Sequence, residues 1–137
     1  MSEHQSPEGA EWADIFPFEP YPNQVNGIDA IIDTLEADGV HVLEGPCGKG
    51  KTRIGLTGAL SLVRNPATKF ERVLVITSKK QQLSAFESDL NAINSQDDIY
   101  FPGLTLIGKS ELCPYVQSGD IGEQEIYHKC ISLRDNT

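Results

Sequence analysis

Eight consecutive residues constrain this chain more than any other feature. Gly45-Pro46-Cys47-Gly48-Lys49-Gly50-Lys51-Thr52 fits the pattern G-x-x-x-x-G-K-S/T. Glycines in such a stretch let the backbone curl until successive N–H groups face inward, where they meet the oxygens of a phosphate. A helix that starts at the lysine adds its positive N-terminal end to the same anion. Lys51 is then placed to reach the β- and γ-phosphates, and the Thr52 hydroxyl to ligate Mg²⁺. The flanks suit this arrangement. Val40-His41-Val42-Leu43-Glu44 reads as a short buried strand, and residues 51–64 read as a helix closed by Asn65-Pro66. The plainer reading is a Gly-rich turn between strand and helix that carries an incidental lysine. Cys47 then serves only as a small loop residue, and Lys49 either adds to the phosphate charge or faces solvent.

The remaining pattern extends the same architecture. Val25, Ile28, Ile31, Ile32 and Leu35 recur at helical spacing, with Gly39 as the expected stop. Val73-Leu74-Val75-Ile76-Thr77 is a continuous β-branched run of the kind buried on both faces of a parallel sheet. Leu83, Phe86, Leu90 and Ile93 share one face of a helix over 81–93, and Leu104-Thr105-Leu106-Ile107 reads as a third strand. Alternation of helix and strand predicts an α/β fold, a parallel sheet with flanking helices joined by right-handed crossovers. Residues 1–15 read as a flexible acidic tail, and three prolines between Phe16 and Gln24 exclude a regular helix there. Past Gly108 the periodicity fades and no closing helix is evident, so the chain is expected to be the front part of something longer.

Charge is unevenly placed. The net charge of −9 argues against non-specific nucleic-acid binding. Residues 1–48 hold ten acidic residues and no Lys or Arg, whereas residues 49–80 hold eight of the eleven basic residues and a single acid, Glu71. A local basic zone on an acidic body fits an anion site better than a solubility pattern; the plainer reading is that a strongly acidic protein keeps only the Lys and Arg it needs. No apolar run approaches the roughly 20 residues that span a bilayer, and the polar N-terminus does not resemble a secretory signal. The expected compartment is the cytoplasm, with no membrane partner. Three cysteines without an export signal argue against a disulfide framework.

Five segments, in order, carry a resemblance. Phe16-Pro17-Phe18 with Tyr21-Pro22-Asn23-Gln24 looks like an "F-P-Y…Y-P-x-Q" adenine-binding segment. Glu44 to Thr52 looks like a Walker A motif with lysine at 49 in place of the usual threonine. Val73 to Ser78 with Gln82-Leu83 is similar to motif Ia. Leu106 to Pro114 resembles a "G-R-x-x-L-C" stretch, and Lys129-Cys130-Ile131-Ser132-Leu133 a second cysteine segment. Together, residues 16–134 resemble the N-terminal part of XPD/DinG-type superfamily 2 iron–sulfur DNA helicases. The resemblance implies a P-loop NTPase, RecA-like first domain over 16–108, followed over 109–137 by the beginning of an inserted iron–sulfur domain.

The implied site follows the same order. Tyr21 and Gln24 would bind adenine, the Gln amide pairing with its N6 and N7 edge. Gly45, Pro46, Cys47, Gly48, Lys49, Gly50, Lys51 and Thr52 would hold ATP with Mg²⁺. Thr77 and Ser78 would touch single-stranded or forked DNA, helped by Lys79 and Lys80. Cys113 and Cys130 would be half of a 4Fe–4S site, which takes four cysteines. Full-length relatives couple ATP hydrolysis to 5′–3′ strand translocation in DNA repair, with other repair proteins as partners. The residues leave alternatives standing. Phe16, Phe18 and Tyr21 also read as a hydrophobic clasp over the first helix, Lys79-Lys80 as a solvated helix start, and Cys113 and Cys130 as free thiols or, with His128, as zinc ligands. A small P-loop phosphotransferase and a non-catalytic nucleotide-binding module are the competing functions. No D-E-x-H motif follows, so the 137 residues alone are not expected to hydrolyse ATP at a helicase rate.

Overall fold

Proline decides where the first helix begins. In the computed structural model, which describes residues 11–135, α1 runs Pro22–Glu36 with Pro22 in its first turn, where a missing N–H costs nothing. The prolines therefore do not exclude helix up to Gln24, as their density suggests; the last of them opens it. Helix α1 ends in a Schellman closure. Gly39 N–H donates to Thr34 O at 2.8 Å and Asp38 N–H to Leu35 O at 3.0 Å. Asp38, not Gly39, takes the left-handed conformation (φ 57°). Gly39 is needed for a different reason, since a Cβ there would lie 2.9 Å from Thr34 O.

Helix α2 runs Lys51–Arg64 and α3 Lys80–Asn94, close to the spans their periodicity predicts. Two glycines let α1 and α2 approach closely. A Cβ on Gly27 of α1 would meet Ile54 Cγ2 at 3.1 Å, and one on Gly58 of α2 would meet Ile31 Cγ2 at 2.9 Å. Each helix thus offers a notch to an isoleucine of the other. Around this seam lies one apolar cluster of Trp12, Phe16, Ile28, Ile31 and Ile54, with Leu43 packed against it. A second cluster joins Ile15, Leu56, Leu60, Ile93 and Ile99, with Val73 packed against it.

The expected parallel sheet is not formed. Among the described residues there is no strand, and the architecture is helical. The reason lies in where each apolar segment anchors. Parallel strands pair only when their backbones run about 4.8 Å apart. Leu43 packs into the first cluster and Val73 into the second, while the segment from Leu104 onward belongs to a separate compact unit. Alternation survives without pairing. His41 and Leu43 are half-buried, whereas Val40 and Val42 are exposed; Val73 and Val75 are half-buried, whereas Leu74 and Ile76 are exposed. These runs are therefore covered on one face, not two.

The acidic tail also needs correction. Residues 1–10 lie outside the described residues, but Trp12, Ile15 and Phe16 are core side chains, and Trp12 Nε1 donates to Asp29 Oδ1 at 2.7 Å. The two units part between Gly103 and Leu104, a few residues before the expected boundary at 108. The second unit holds short helices α4 (Lys109–Leu112) and α5 (Pro114–Gln117), a 3₁₀ turn at Glu123–Glu125, and α6 (Ile126–Asp135). No helix among the described residues is long and apolar enough to cross a membrane.

Candidate nucleotide site

The loop before α2 owes its shape to two left-handed glycines. Gly48 has φ 77° and Gly50 φ 75°, and Lys49 between them has a negative φ, because Asp38 and Asp98 are the described non-glycine residues with positive values. Alternation of this kind turns successive N–H groups toward one side, the geometry that makes an anion nest. At Gly48 a Cβ would meet nothing within 4 Å, so that glycine answers a purely conformational demand. Gly50 answers two demands. It is the N-cap of α2 in a left-handed conformation, and a Cβ there would stand 2.9 Å from Gln24 Nε2. The first intrahelical bond of α2 follows at once, from Ile54 N–H to Gly50 O at 2.9 Å.

Lys51 closes the curl. Its Nζ donates to Gly45 O at 2.7 Å and to Pro46 O at 2.8 Å, which draws the two ends of the loop around one ammonium group. An ammonium has three N–H donors, so these two bonds hold its position without exhausting it. Thr52 is half-buried in the first turn of α2, while Pro46, Cys47, Gly48 and Lys49 are exposed. The loop thus faces solvent from Pro46 to Lys49, with Lys51 half-buried beside it. A triphosphate with Mg²⁺ fits what is here: open space at Gly48, a lysine fixed over the loop, and a hydroxyl at the helix start. Residues 45 to 52, singled out by pattern, are brought together by the fold.

Gln24 is placed differently from expectation. It is buried at 7% exposure, and both ends of its amide are engaged within the protein. Oε1 accepts from Tyr21 N–H at 2.9 Å, as a residue at the third position of α1 does for its N-cap. Nε2 donates to Lys49 O at 3.3 Å. Gln24 therefore ties the Pro–aromatic segment to the glycine-rich loop; reading an adenine edge requires those bonds to be exchanged. Tyr21 is 69% exposed, and Phe18, on the same segment, is 57% exposed.

Thr77 and Ser78 make no hydrogen bond to this loop among the described residues. Both precede α3, with Lys79 as its N-cap. The Thr77 hydroxyl donates to Lys79 O at 2.9 Å. A phosphate oxygen is itself an acceptor, so a DNA contact at Thr77 requires the hydroxyl to leave that carbonyl. Ser78 is exposed. In the second unit, buried Cys113 joins α4 to α5, and half-buried Cys130 lies within α6; both are free thiols. No group of three or more His, Cys, Asp or Glu stands together as a metal site among the described residues. Two cysteines do not supply the four thiolates of a 4Fe–4S cluster, so this donor set does not fit the whole group.

Sequence reasoning missed Arg53 and Asp89. Arg53 follows Thr52 directly, and its guanidinium binds Asp89 of α3 while lying over the Phe18 ring. An arginine in the first turn, where a cation opposes the helix dipole, was a signal that something nearby must hold it. Comparison with protein-family profiles, with curated proteins and with solved structures gives no match to this chain.

Proposed function

We propose that this chain binds the triphosphate of Mg·ATP at Gly45–Thr52 and is the nucleotide-binding part of an ATP-driven DNA helicase of the XPD/DinG type. The observation that carries the first half is the Gly48–Gly50 curl closed by Lys51 at the start of a 14-residue helix. The second half rests on the order of the five motifs along the sequence and not on a sheet. In this reading the loop amides and the end of α2 take the phosphate oxygens, and the remaining Lys51 donor meets the β- and γ-phosphates. The Thr52 hydroxyl is a ligand for Mg²⁺. Tyr21 and Gln24 border the base, Ser78 and Thr77 the DNA strand.

Calorimetric titration of Mg·ATP into the natural chain and into Lys51→Ala tests it. A charge-assisted hydrogen bond contributes about 1.5–3 kcal/mol, so the variant is expected to bind at least about tenfold more weakly. Equal binding by both proteins overturns the reading.

A further inference from the structure

Arg53 stands where three parts of the first unit meet. It occupies the first turn of α2, next to Thr52. Its guanidinium carbon lies 4.5 Å from the centroid of the Phe18 ring. Its Nε and Nη2 both donate to Oδ1 of Asp89 on α3, at 3.1 and 2.6 Å. The two charged side chains keep 27% and 13% exposure, so this pair is more sheltered than Arg64–Asp14, Lys69–Asp38, Arg72–Glu71 and Arg134–Asp135. The aromatic ring it supports is more than half exposed.

We propose that Asp89, acting through Arg53, is a positioning residue that sets Phe18 as a flat platform for a nucleobase beside the phosphate loop. The proposal deepens the nucleotide site described above and rests on it. A guanidinium is planar and stacks on one ring face while its N–H fork is held in plane. Asp89 fixes that fork, so Arg53 fixes the ring, and Phe18, more than half exposed, keeps surface open to a second flat group. The segment around Phe18 favours such a role. Pro17 and Pro20 stiffen it, and Gln24 ties its far end to Lys49 O. A large exposed aromatic ring held rigid against a cation, one residue from the Mg²⁺-binding threonine, suits a heteroaromatic base attached to the bound phosphates. A mere staple between α2 and α3 would need no aromatic ring.

The two roles separate when a ligand with a base is compared with one without. Mg·ATP and Mg·tripolyphosphate are titrated into the natural chain, Asp89→Asn, Asp89→Glu, Phe18→Leu, the Phe18→Leu/Asp89→Asn pair, and Lys51→Ala. Asp89→Asn is expected to bind ATP about tenfold more weakly, within what stacking on an aromatic side chain contributes, with tripolyphosphate affinity changed less than about twofold. Asp89→Glu should recover part of the loss. Phe18→Leu should show the same selective loss, and the double variant no more than Phe18→Leu alone. Phe18 is exposed, so its variant keeps the test valid if Asp89→Asn fails to fold. Equal weakening of both ligands, or unchanged ATP binding in Asp89→Asn and Phe18→Leu, overturns the proposal while Lys51→Ala still shows that the phosphate site exists. If Lys51→Ala binds like the natural chain, the nucleotide reading falls and takes this one with it.

Discussion

Replacing Gly50 by alanine probes the loop at its tightest point. Two costs are legible in the structure. A side chain at φ 75° is left-handed, which costs roughly 1–2 kcal/mol for an L-residue. The new Cβ would also stand 2.9 Å from Gln24 Nε2, so the amide must move and loosen its 3.3 Å bond to Lys49 O. A net hydrogen bond is worth about 0.5–1.5 kcal/mol. The expected loss is therefore about 1.5–3.5 kcal/mol. Gly48→Ala carries the conformational cost alone, because its Cβ meets open space. Urea unfolding followed by far-UV circular dichroism gives both values, with Gly48→Ala predicted to be the milder by about 1 kcal/mol. The double variant Gly50→Ala/Gln24→Ala isolates the contact: once the amide is gone, Gly50→Ala should cost no more than Gly48→Ala does. Equal losses for the two glycine variants, or strict additivity of Gly50→Ala with Gln24→Ala, would refute the claim that Gln24 braces the loop.

Three further outcomes are expected. Trp12→Ala should cost about 3–5 kcal/mol in the same unfolding assay, as loss of a core aromatic does, whereas a side chain in a flexible tail would leave stability unchanged. Gly58→Ala should destabilise by about 1–3 kcal/mol, because its Cβ would press on Ile31 Cγ2, and it should cost less in an Ile31→Ala background, which lacks that methyl; an undiminished cost would mean that the α1–α2 seam is not set by this notch. The isolated chain should show no iron–sulfur absorption band in its visible spectrum and no stoichiometric iron, since Cys113 and Cys130 are half of the required thiolates.

Helices were legible in this sequence because their signals are local. Lys51–Arg64 begins at the residue after Gly50 and ends at Asn65-Pro66, and the structure keeps both limits. The turn that holds Lys51 was legible too, since Gly48 and Gly50 take positive φ most readily and the turn uses both. The sheet was misread because pairing is not local. Val40 to Leu43 and Val73 to Ile76 show the alternation of half-buried extended chain, but alternation says which residues face a core and not which core. Trp12 was missed for a related reason. Residues around it are acidic and proline-flanked, and only a partner far along the chain, Asp29, shows that the indole has a place to go. Gln24 was found by motif, yet its amide points inward because the helix cap and the loop both need it.

The basic zone at 49–80 looks like a positive surface in the sequence, and three-dimensional pairing changes that. Arg53 is bound to Asp89, Arg64 to Asp14, Lys69 to Asp38, and Arg72 lies beside Glu71. Lys51 is drawn onto two loop carbonyls. Asp14 and Asp38, from the segment that lacks any cation, thus take two of the eight cations, and Asp89 and Glu71 take two more. Lys49 belongs to the glycine-rich loop, and Lys79 and Lys80 open α3. A single strand running past Ser78 would meet Lys79 and Lys80 at the start of α3, charge for two phosphates. Each such contact contributes about −0.7 to the slope of log K against log salt for single strands, so the slope expected for this chain is no steeper than about −1.4. Fluorescence anisotropy of a labelled oligonucleotide, titrated at several salt concentrations, measures it. A slope steeper than about −3, equivalent to more than about four phosphates, would mean that the strand engages cations well beyond Lys79 and Lys80, and would sink the view that it meets this chain only at the start of α3.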